Sequence, residues 1–270
     1  MRRMAAAAFV MCVGSGMSGH RKPGRRGYKR GFCVWRLCGD VDPASGAYAW
    51  VGMRVGVMES LFKLDDGMNV QKNLVDDYSV SEDGLVWTLK LREGVKWYTY
   101  ELEEYAETTA DDFVFGLEWI LNPANESSNV DTVCSVIKNA REYFDGTITD
   151  FSEVGVKAVD PYTLQYTLKD TCPYFLSMLT YVAFMPANRA FAEECGEYYG
   201  TSNDSILYNG AYYCTSWEPQ SELVMERNDN YWDRANVFIK TVAGKYNAEA
   251  EALAPEMYLR GEIDEAQIPR

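Results

Sequence analysis

Residues 83–121 carry two short strands and a capped helix in close succession, and the rest of the chain has to fold around them. Ser81-Glu82-Asp83-Gly84 is a turn signal. It leads into Leu85–Leu91, where Leu85, Trp87, Leu89 and Leu91 alternate with Val86, Thr88 and Lys90. A repeat of two with one apolar side is the pattern of a strand with one buried face. Arg92-Glu93-Gly94 turns the chain, and Val95-Lys96-Trp97-Tyr98 reads as a second short strand. Thr109-Ala110-Asp111-Asp112 then precedes Phe113, Leu117, Ile120 and Leu121 at helical spacing. Thr109 is placed to cap that helix, and the early acids suit the positive end of its dipole. These residues specify scaffold and contain no chemistry.

Composition narrows the function. At 270 residues, 47% hydrophobic and 14% aromatic, the chain can bury a sizeable core as one large domain or two smaller ones. The formal net charge is −14, unevenly spread. Residues 1–40 hold nine Lys/Arg and one acid, Asp40, which leaves 17 basic and 39 acidic residues for the remainder. Such an acidic body repels phosphates, so no nucleic-acid partner is expected. A solvated acidic surface on a secreted protein explains the charge, with a mild preference for basic ligands or for none in particular. The single histidine, His20, lies near the N-terminus. Histidine acid–base chemistry, Ser-His or Cys-His nucleophiles and His-rich zinc sites therefore lack their parts. None of the seven cysteines forms a CxxC pair. Cys134, Cys172, Cys195 and Cys214 read as buried free thiols, with pairing in an oxidising compartment as the alternative. No cofactor or metal is expected.

As a string, DGLVWTLKLREGVKW followed by EYAETTADDFVFGL resembles the signature of the family 5 extracytoplasmic solute-binding proteins, the peptide and nickel receptors of ABC importers. The inserted EYAETTADDF form looks most like the oligopeptide-binding lipoproteins of Gram-positive bacteria. Other stretches extend the likeness. Glu59 to Gly67 is similar to the family's E-G-L-x-x-x-D-x-x-G, with Ser60 in place of the usual glycine. Phe151 to Asp160 matches D-(F/L)-x-x-V-G-V-K-A-(V/I)-D almost residue for residue. Asn209-Gly210-Ala211-Tyr212, Arg227 to Asp233 and Gly261-Glu262-Ile263-Asp264 match further elements. Together they cover roughly residues 41–269.

The resemblance implies an α/β, periplasmic-binding-protein-like (type II) first lobe. That lobe has a mixed twisted sheet flanked by helices and carries a small inserted α+β domain. The lobe would comprise residues 41–60 and 154–264, the inserted domain 61–153, and 265–270 the start of a hinge to a second lobe that this chain lacks. Residues 1–40 form a signal-like and basic segment expected to be disordered. Met1 to Gly19 has the outline of a secretory signal, with Arg2-Arg3 before an apolar Ala5–Val13. Met17-Ser18-Gly19 would lead into an acylated cysteine, but His20 stands there, a departure that bears on lipid anchoring. Arg21 to Arg36 does not resemble the family; a basic tail and a reading-frame error both account for it. No stable structure is expected over residues 20–36.

Between the family's motifs, local patterns give further expectations. Val130–Phe144 reads as one helix with Val133, Val136, Ile137, Ala140 and Tyr143 on its core side. Leu176–Phe184 reads as an amphipathic helix running into a buried strand, Asn188–Tyr199 as a helix interrupted at Gly196, and Trp217–Glu226 as one strand.

The ligand-lining residues follow from motif position alone. They are Asp42, Pro43, Ala44, Ala47, Tyr48 and Ala49 beside the first strand; Tyr208, Asn209, Gly210, Ala211 and Tyr212 at the Asn-Gly turn; and Ala266 and Gln267 at the hinge. Tyr48 serves equally as an ordinary packing residue, and a hairpin turn without a ligand explains residues 208–212 as well. The implied function is capture of short peptides outside the membrane, for delivery to ABC permease subunits. The implied receptor is a monomer at the cell surface or in the periplasmic space, peripheral to the membrane and anchored to it in full-length form. One lobe alone would bury about half of its guest, so weak or undetectable peptide binding is expected of this chain. A nickel receptor is disfavoured because the only histidine lies outside the matched region. A carboxylate-pair hydrolase is the other class. Its candidates, Asp76-Asp77, Glu103-Glu104 and Asp111-Asp112, are adjacent pairs whose side chains point apart on a strand or helix.

Overall fold

A computed structural model describes residues 31–33, 56–65, 67–218, 222–245 and 250–263. The strands, numbered along the chain, are β1 (Gly31–Cys33), β2 (Phe62–Leu64), β3 (Val70–Lys72), β4 (Val75–Val80), β5 (Val86–Leu91), β6 (Lys96–Tyr98), β7 (Glu104–Glu107), β8 (Val156–Asp160), β9 (Thr163–Thr167), β10 (Tyr212–Glu218), β11 (Glu222–Arg227) and β12 (Thr241–Lys245). The helices are α1 (Ala110–Leu121), α2 (Val130–Cys134), α3 (Ala140–Phe144), α4 (Phe175–Met178), α5 (Arg189–Cys195) and α6 (Ala250–Leu259).

The alternation of residues 85–91 forms β5, at the centre of an antiparallel sheet ordered β4-β5-β9-β8. Leu89 faces Leu164, and Trp87 faces Tyr166, in register. Leu89, Leu91, Leu164 and Tyr166 are buried while Lys90 is exposed, as a period of two requires. Helix α1 packs across β8 and β9, with Phe113, Leu117, Ile120 and Leu121 all buried. Its N-terminus is closed by Asp112, whose carboxylate accepts the Thr109 N–H at 2.8 Å. Residue N3 thus reaches back to the cap.

The sheet cuts across the expected division of the chain. β8 and β9 come from the range assigned to the lobe, yet they complete a sheet with β4 and β5 from the range assigned to the inserted domain. A second sheet, ordered β1-β12-β11-β10, is mixed, with β1 parallel to β12 and the other pairs antiparallel. β1 lies inside the stretch expected to lack stable structure; the rest of residues 20–36 is outside the described residues. Trp217–Glu226 is not one strand but parts of the two arms of the β10–β11 hairpin, in which Trp217 faces Leu223.

Two apolar runs also depart from their expected form. Residues 130–144 are two short helices rather than one, because Ile137 bridges to Leu168. In the same stretch the Lys138 N–H donates to the Thr167 carbonyl at 3.0 Å, and Asn139 takes a left-handed φ of 59°. The four apolar positions Val133, Val136, Ile137 and Ala140 are still buried. Gly155 explains the glycine of the Val-Gly-Val motif here, since a β-carbon would lie 2.1 Å from the Thr167 carbonyl oxygen. Residues 175–184 contain the four-residue α4 and a 3-10 turn over Val182–Phe184 in place of the expected strand. That turn is buried against α1, where Gly116 admits the Met185 carbonyl. Asn188–Tyr199 forms α5 and a 3-10 turn that begins at Gly196.

Two main apolar cores result. One surrounds the β4-β5-β9-β8 sheet and runs from Leu61 to Phe184. The other gathers Val57, Met58, Trp97, Met185, Phe191, Ile206, Tyr208 and Cys214. Cys134, Cys172 and Cys214 are buried free thiols, and Cys195 is free and half-buried. Among the described residues, no helix is long and apolar enough to cross a membrane.

Candidate functional site

Of the expected ligand-lining residues, the structure places Tyr208–Tyr212; residues 42–49 and 266–267 lie outside the described residues. Tyr208 bridges to Tyr98 with both backbone hydrogen bonds formed, 2.8 and 2.9 Å. Its side chain is buried in the second core, where desolvation raises the phenol pKa. The Tyr208 hydroxyl donates to the Asn203 carbonyl. Asn209 is buried as well: its Oδ1 accepts the Glu59 N–H at 2.9 Å, and its Nδ2 donates to Thr108 Oγ1 at 3.3 Å.

Gly210 sits where two backbones meet. Its N–H donates to the Val57 carbonyl at 3.0 Å. A β-carbon there would fall 2.6 Å from the Gly56 carbonyl oxygen and 2.7 Å from the Val57 carbonyl carbon. Only glycine allows such an approach. Asn228 holds the other side, donating from its backbone N–H to the Ala211 carbonyl at 2.9 Å and from Nδ2 to the Gly210 carbonyl at 3.3 Å. Ala211 and Tyr212 keep part of their surface accessible, and the Tyr212 hydroxyl donates to the Ile239 carbonyl at 3.2 Å. Within this turn, then, Tyr208 and Asn209 are anchors, and Ala211 and Tyr212 retain exposed surface.

Glu59 lies beneath the same joint. The residue keeps some accessible surface, but its carboxylate is enclosed, and burial raises its pKa. The Tyr231 hydroxyl donates to Oε1 at 2.8 Å, and Asn73 Nδ2 donates to Oε2. Asn73 Nδ2 also reaches the Ser60 carbonyl at 2.9 Å, while Asn73 Oδ1 is buried without a hydrogen-bond partner. Next in sequence to Tyr231, Trp232 lies under the Arg92 guanidinium, 4.3 Å from the ring centroid. Arg92 is also paired with Asp76 at 2.9 Å. The motifs quoted from the sequence therefore touch one another: Glu59 meets Tyr231, Arg92 meets Trp232, and Trp97 Nε1 donates to Asp112 at 3.0 Å. Their roles in this joint were not legible in advance; the signal was only that the motifs occur together.

The adjacent acids do not converge. Asp76 pairs with Arg92 and Asp77 with Lys72. Glu104 pairs with Lys96, and Asp112 turns inward while Asp111 stays exposed. In a groove of about 620 Å³ bordered by Asp76, Lys90, Arg92, Glu93, Asp160 and Thr163, Arg92 pairs with Asp76 and Lys90 lies 3.8 Å from Asp160. Among the described residues, no group of three or more His, Cys, Asp and Glu is placed to hold a metal ion.

The sequence profile of the bacterial extracellular solute-binding proteins, family 5 Middle, matches residues 69–270. The oligopeptide-binding protein AmiA of Streptococcus pneumoniae is 41% identical over 187 residues, which is 68% of this chain and 28% of that protein. The oligopeptide-binding protein SarA of Streptococcus gordonii is 34% identical over 244 residues, 87% of this chain and 36% of its own length. Among solved structures, the pheromone receptor PrgZ superposes with a TM-score of 0.76 at 27% identity, over 88% of this chain and 46% of that one. A periplasmic oligopeptide-binding protein of Borrelia burgdorferi gives 0.74 at the same identity and coverage. The chain spans about a third of the length of these curated relatives.

Proposed function

Because the chain belongs to family 5 of the bacterial extracellular solute-binding proteins, we propose that it forms part of a receptor that captures short peptides outside the membrane and passes them to the permease of an ABC importer. The observation that carries this reading is the likeness to two streptococcal oligopeptide-binding proteins across most of the chain. Such a site holds an extended peptide by its main chain and leaves side chains in wet, tolerant pockets. It needs preorganised backbone and no reactive group, which agrees with the buried and hydrogen-bonded state of Asn209 and Gly210.

Within that receptor, residues 208–212 border the ligand cleft. Ala211 and Tyr212 contribute accessible surface, and Tyr208, Asn209 and Gly210 fix the backbone behind them. Asp42, Pro43, Ala44, Ala47, Tyr48 and Ala49 would border the cleft from the first segment, with Ala266 and Gln267 at the hinge. The small domain runs on through β9, since β8 and β9 complete its sheet. The receptor works as a monomer. Its attachment to the membrane runs through the N-terminal segment, where His20 in place of a lipidated cysteine is the point to check.

Nuclear magnetic resonance tests the peptide reading, because it detects weak as well as tight binding. With penta-alanine and penta-lysine as probes, the amides of Ala211 and Tyr212 are expected to shift in a saturable way. Exposed Val159, on the sheet edge, is expected to stay still. Midpoints should be weaker than about 1 μM, a binding free energy of about −8 kcal/mol. Absence of any saturable shift up to about 10 mM peptide, or cleavage of either probe, would remove the reading.

A further inference from the structure

We propose that Glu59 is the positioning residue for the Asn209–Tyr212 turn: its enclosed carboxylate ties the segment that carries the turn's backbone partners to Asn73 on one side and Tyr231 on the other. The inference rests on the reading above only in calling that turn the ligand side.

Four pieces of chain meet at this residue, two of them 150 and 172 residues away. Its N–H donates to Asn209 Oδ1, 150 residues away. Val57, two residues before it, accepts the Gly210 N–H. Its carboxylate receives the Tyr231 hydroxyl, 172 residues away, and the Asn73 amide. The loop bearing Tyr231 also bears Asn228, which holds the Gly210 and Ala211 carbonyls. Glu59 thus grips the turn from both sides, through its own backbone and through the loop that its side chain fixes.

A carboxylate suits this place because it accepts two donors on two oxygens from opposite directions, which a hydroxyl or an apolar side chain does not. Burial costs the charge, and the two donors offset part of that cost. Truncation to alanine strands Tyr231 and Asn73 in an enclosed site, where each lost partner leaves an unsatisfied polar group. Glutamine keeps one acceptor for Tyr231 but sets its own N–H donors against Asn73 Nδ2, which then keeps only the Ser60 carbonyl.

Amide hydrogen exchange on the full chain tests the proposal without a ligand. In Glu59→Ala the Gly210 and Asn228 amides are expected to exchange at least about tenfold faster, the equivalent of about 1.4 kcal/mol of lost local protection. The Leu91 and Leu168 amides, which donate to Tyr162 and Leu85 in the other core, are expected to stay within about twofold of the parent. Glu59→Gln, which keeps the acceptor for Tyr231 and loses the one for Asn73, should restore part of the protection at Gly210 and Asn228. A residue that merely supports the fold would raise all four rates together. Equal acceleration at Leu91 and Leu168, or unchanged rates at Gly210 and Asn228, overturns the proposal. Selective opening in a chain whose Ala211 and Tyr212 ignore both peptides would keep Glu59 as the positioner of this turn and remove the ligand role alone.

Discussion

At Gly210 one hydrogen atom decides whether two backbones meet. A β-carbon there would overlap the Gly56 carbonyl and press on Met58 N at 2.9 Å. Those atoms belong to backbone, so no side-chain rotation relieves the clash. Gly210→Ala is therefore expected to destabilise the chain by about 1–3 kcal/mol, the range for overpacked sites. The midpoint of urea denaturation checks this, and an unchanged midpoint would mean that residues 56–58 move aside freely. The sequence marked Asn209-Gly210 as a tight turn; the chain bends at Gly210 and Ala211, and glycine is required there by close backbone approach and not by a left-handed φ. The sequence did not reveal that Asn209 faces inward. Its partners, Glu59 and Thr108, lie 150 and 101 residues away, and no local pattern records a contact at such a distance. The same limit hid Glu59 itself, whose motif neighbours are read along the chain while its hydrogen bonds run across it.

At the scale of elements, regular repeats were legible and short irregular ones were not. β5 and α1 lie where the alternation of two and the helical spacing put them, because each buries a single continuous face. The 130–144 stretch satisfies the same apolar stripe with two helices and a bridge, so periodicity alone could not separate the alternatives. Residues 182–184 are apolar enough for a strand, but they bury themselves in a 3-10 turn against α1. Gly116 makes that packing possible. Glycine inside a helix ordinarily costs about 0.5–1 kcal/mol relative to alanine, so Gly116→Ala would stabilise a free-standing helix. Here a β-carbon would lie 2.5 Å from the Met185 carbonyl oxygen. The clash outweighs the helix gain, and a net loss of about 1–2 kcal/mol is expected. Guanidinium denaturation followed by far-ultraviolet circular dichroism reads the sign; a stabilised variant would show that residues 182–185 are free to withdraw.

Across the whole molecule, α1 is the seam between the two main cores, and Asp112 is its joint. One carboxylate accepts Trp97 Nε1 at 3.0 Å from the second core, the Thr109 N–H at 2.8 Å, and Asn188 Nδ2 at 3.1 Å from the cap of α5. Burial nevertheless outweighs these donors and pushes the Asp112 pKa from 3.8 up to about 6, with neighbouring Asp111 adding to the rise. Arg189, the cation nearby, is engaged with Glu118. A raised folded-state pKa means that the folded chain holds the proton more tightly than the unfolded one. The resulting stability is fully present below pH about 4 and is lost as pH rises through about 6. A shift of about two units corresponds to at most about 3 kcal/mol. Glu59, raised by its own burial, acts in the same sense. The surface carboxylates of Asp65, Asp83, Asp160 and Asp229 are shifted downward by their hydrogen bonds and act in the opposite sense, below pH about 4. Stability should therefore rise on acidification from pH 7 to about 5 and fall again in stronger acid. Asp112→Asn keeps an acceptor in the seam and cannot titrate, so the rise between pH 7 and 5 should be visibly smaller in that variant. Urea midpoints at pH 5, 6 and 7 for both chains decide the matter. Parallel curves would place the charge of Asp112 outside the energetics of the seam, and a wild-type midpoint that falls steadily from pH 7 to 5 would mean that the ionised carboxylate, with its three donors, is the form the folded chain prefers.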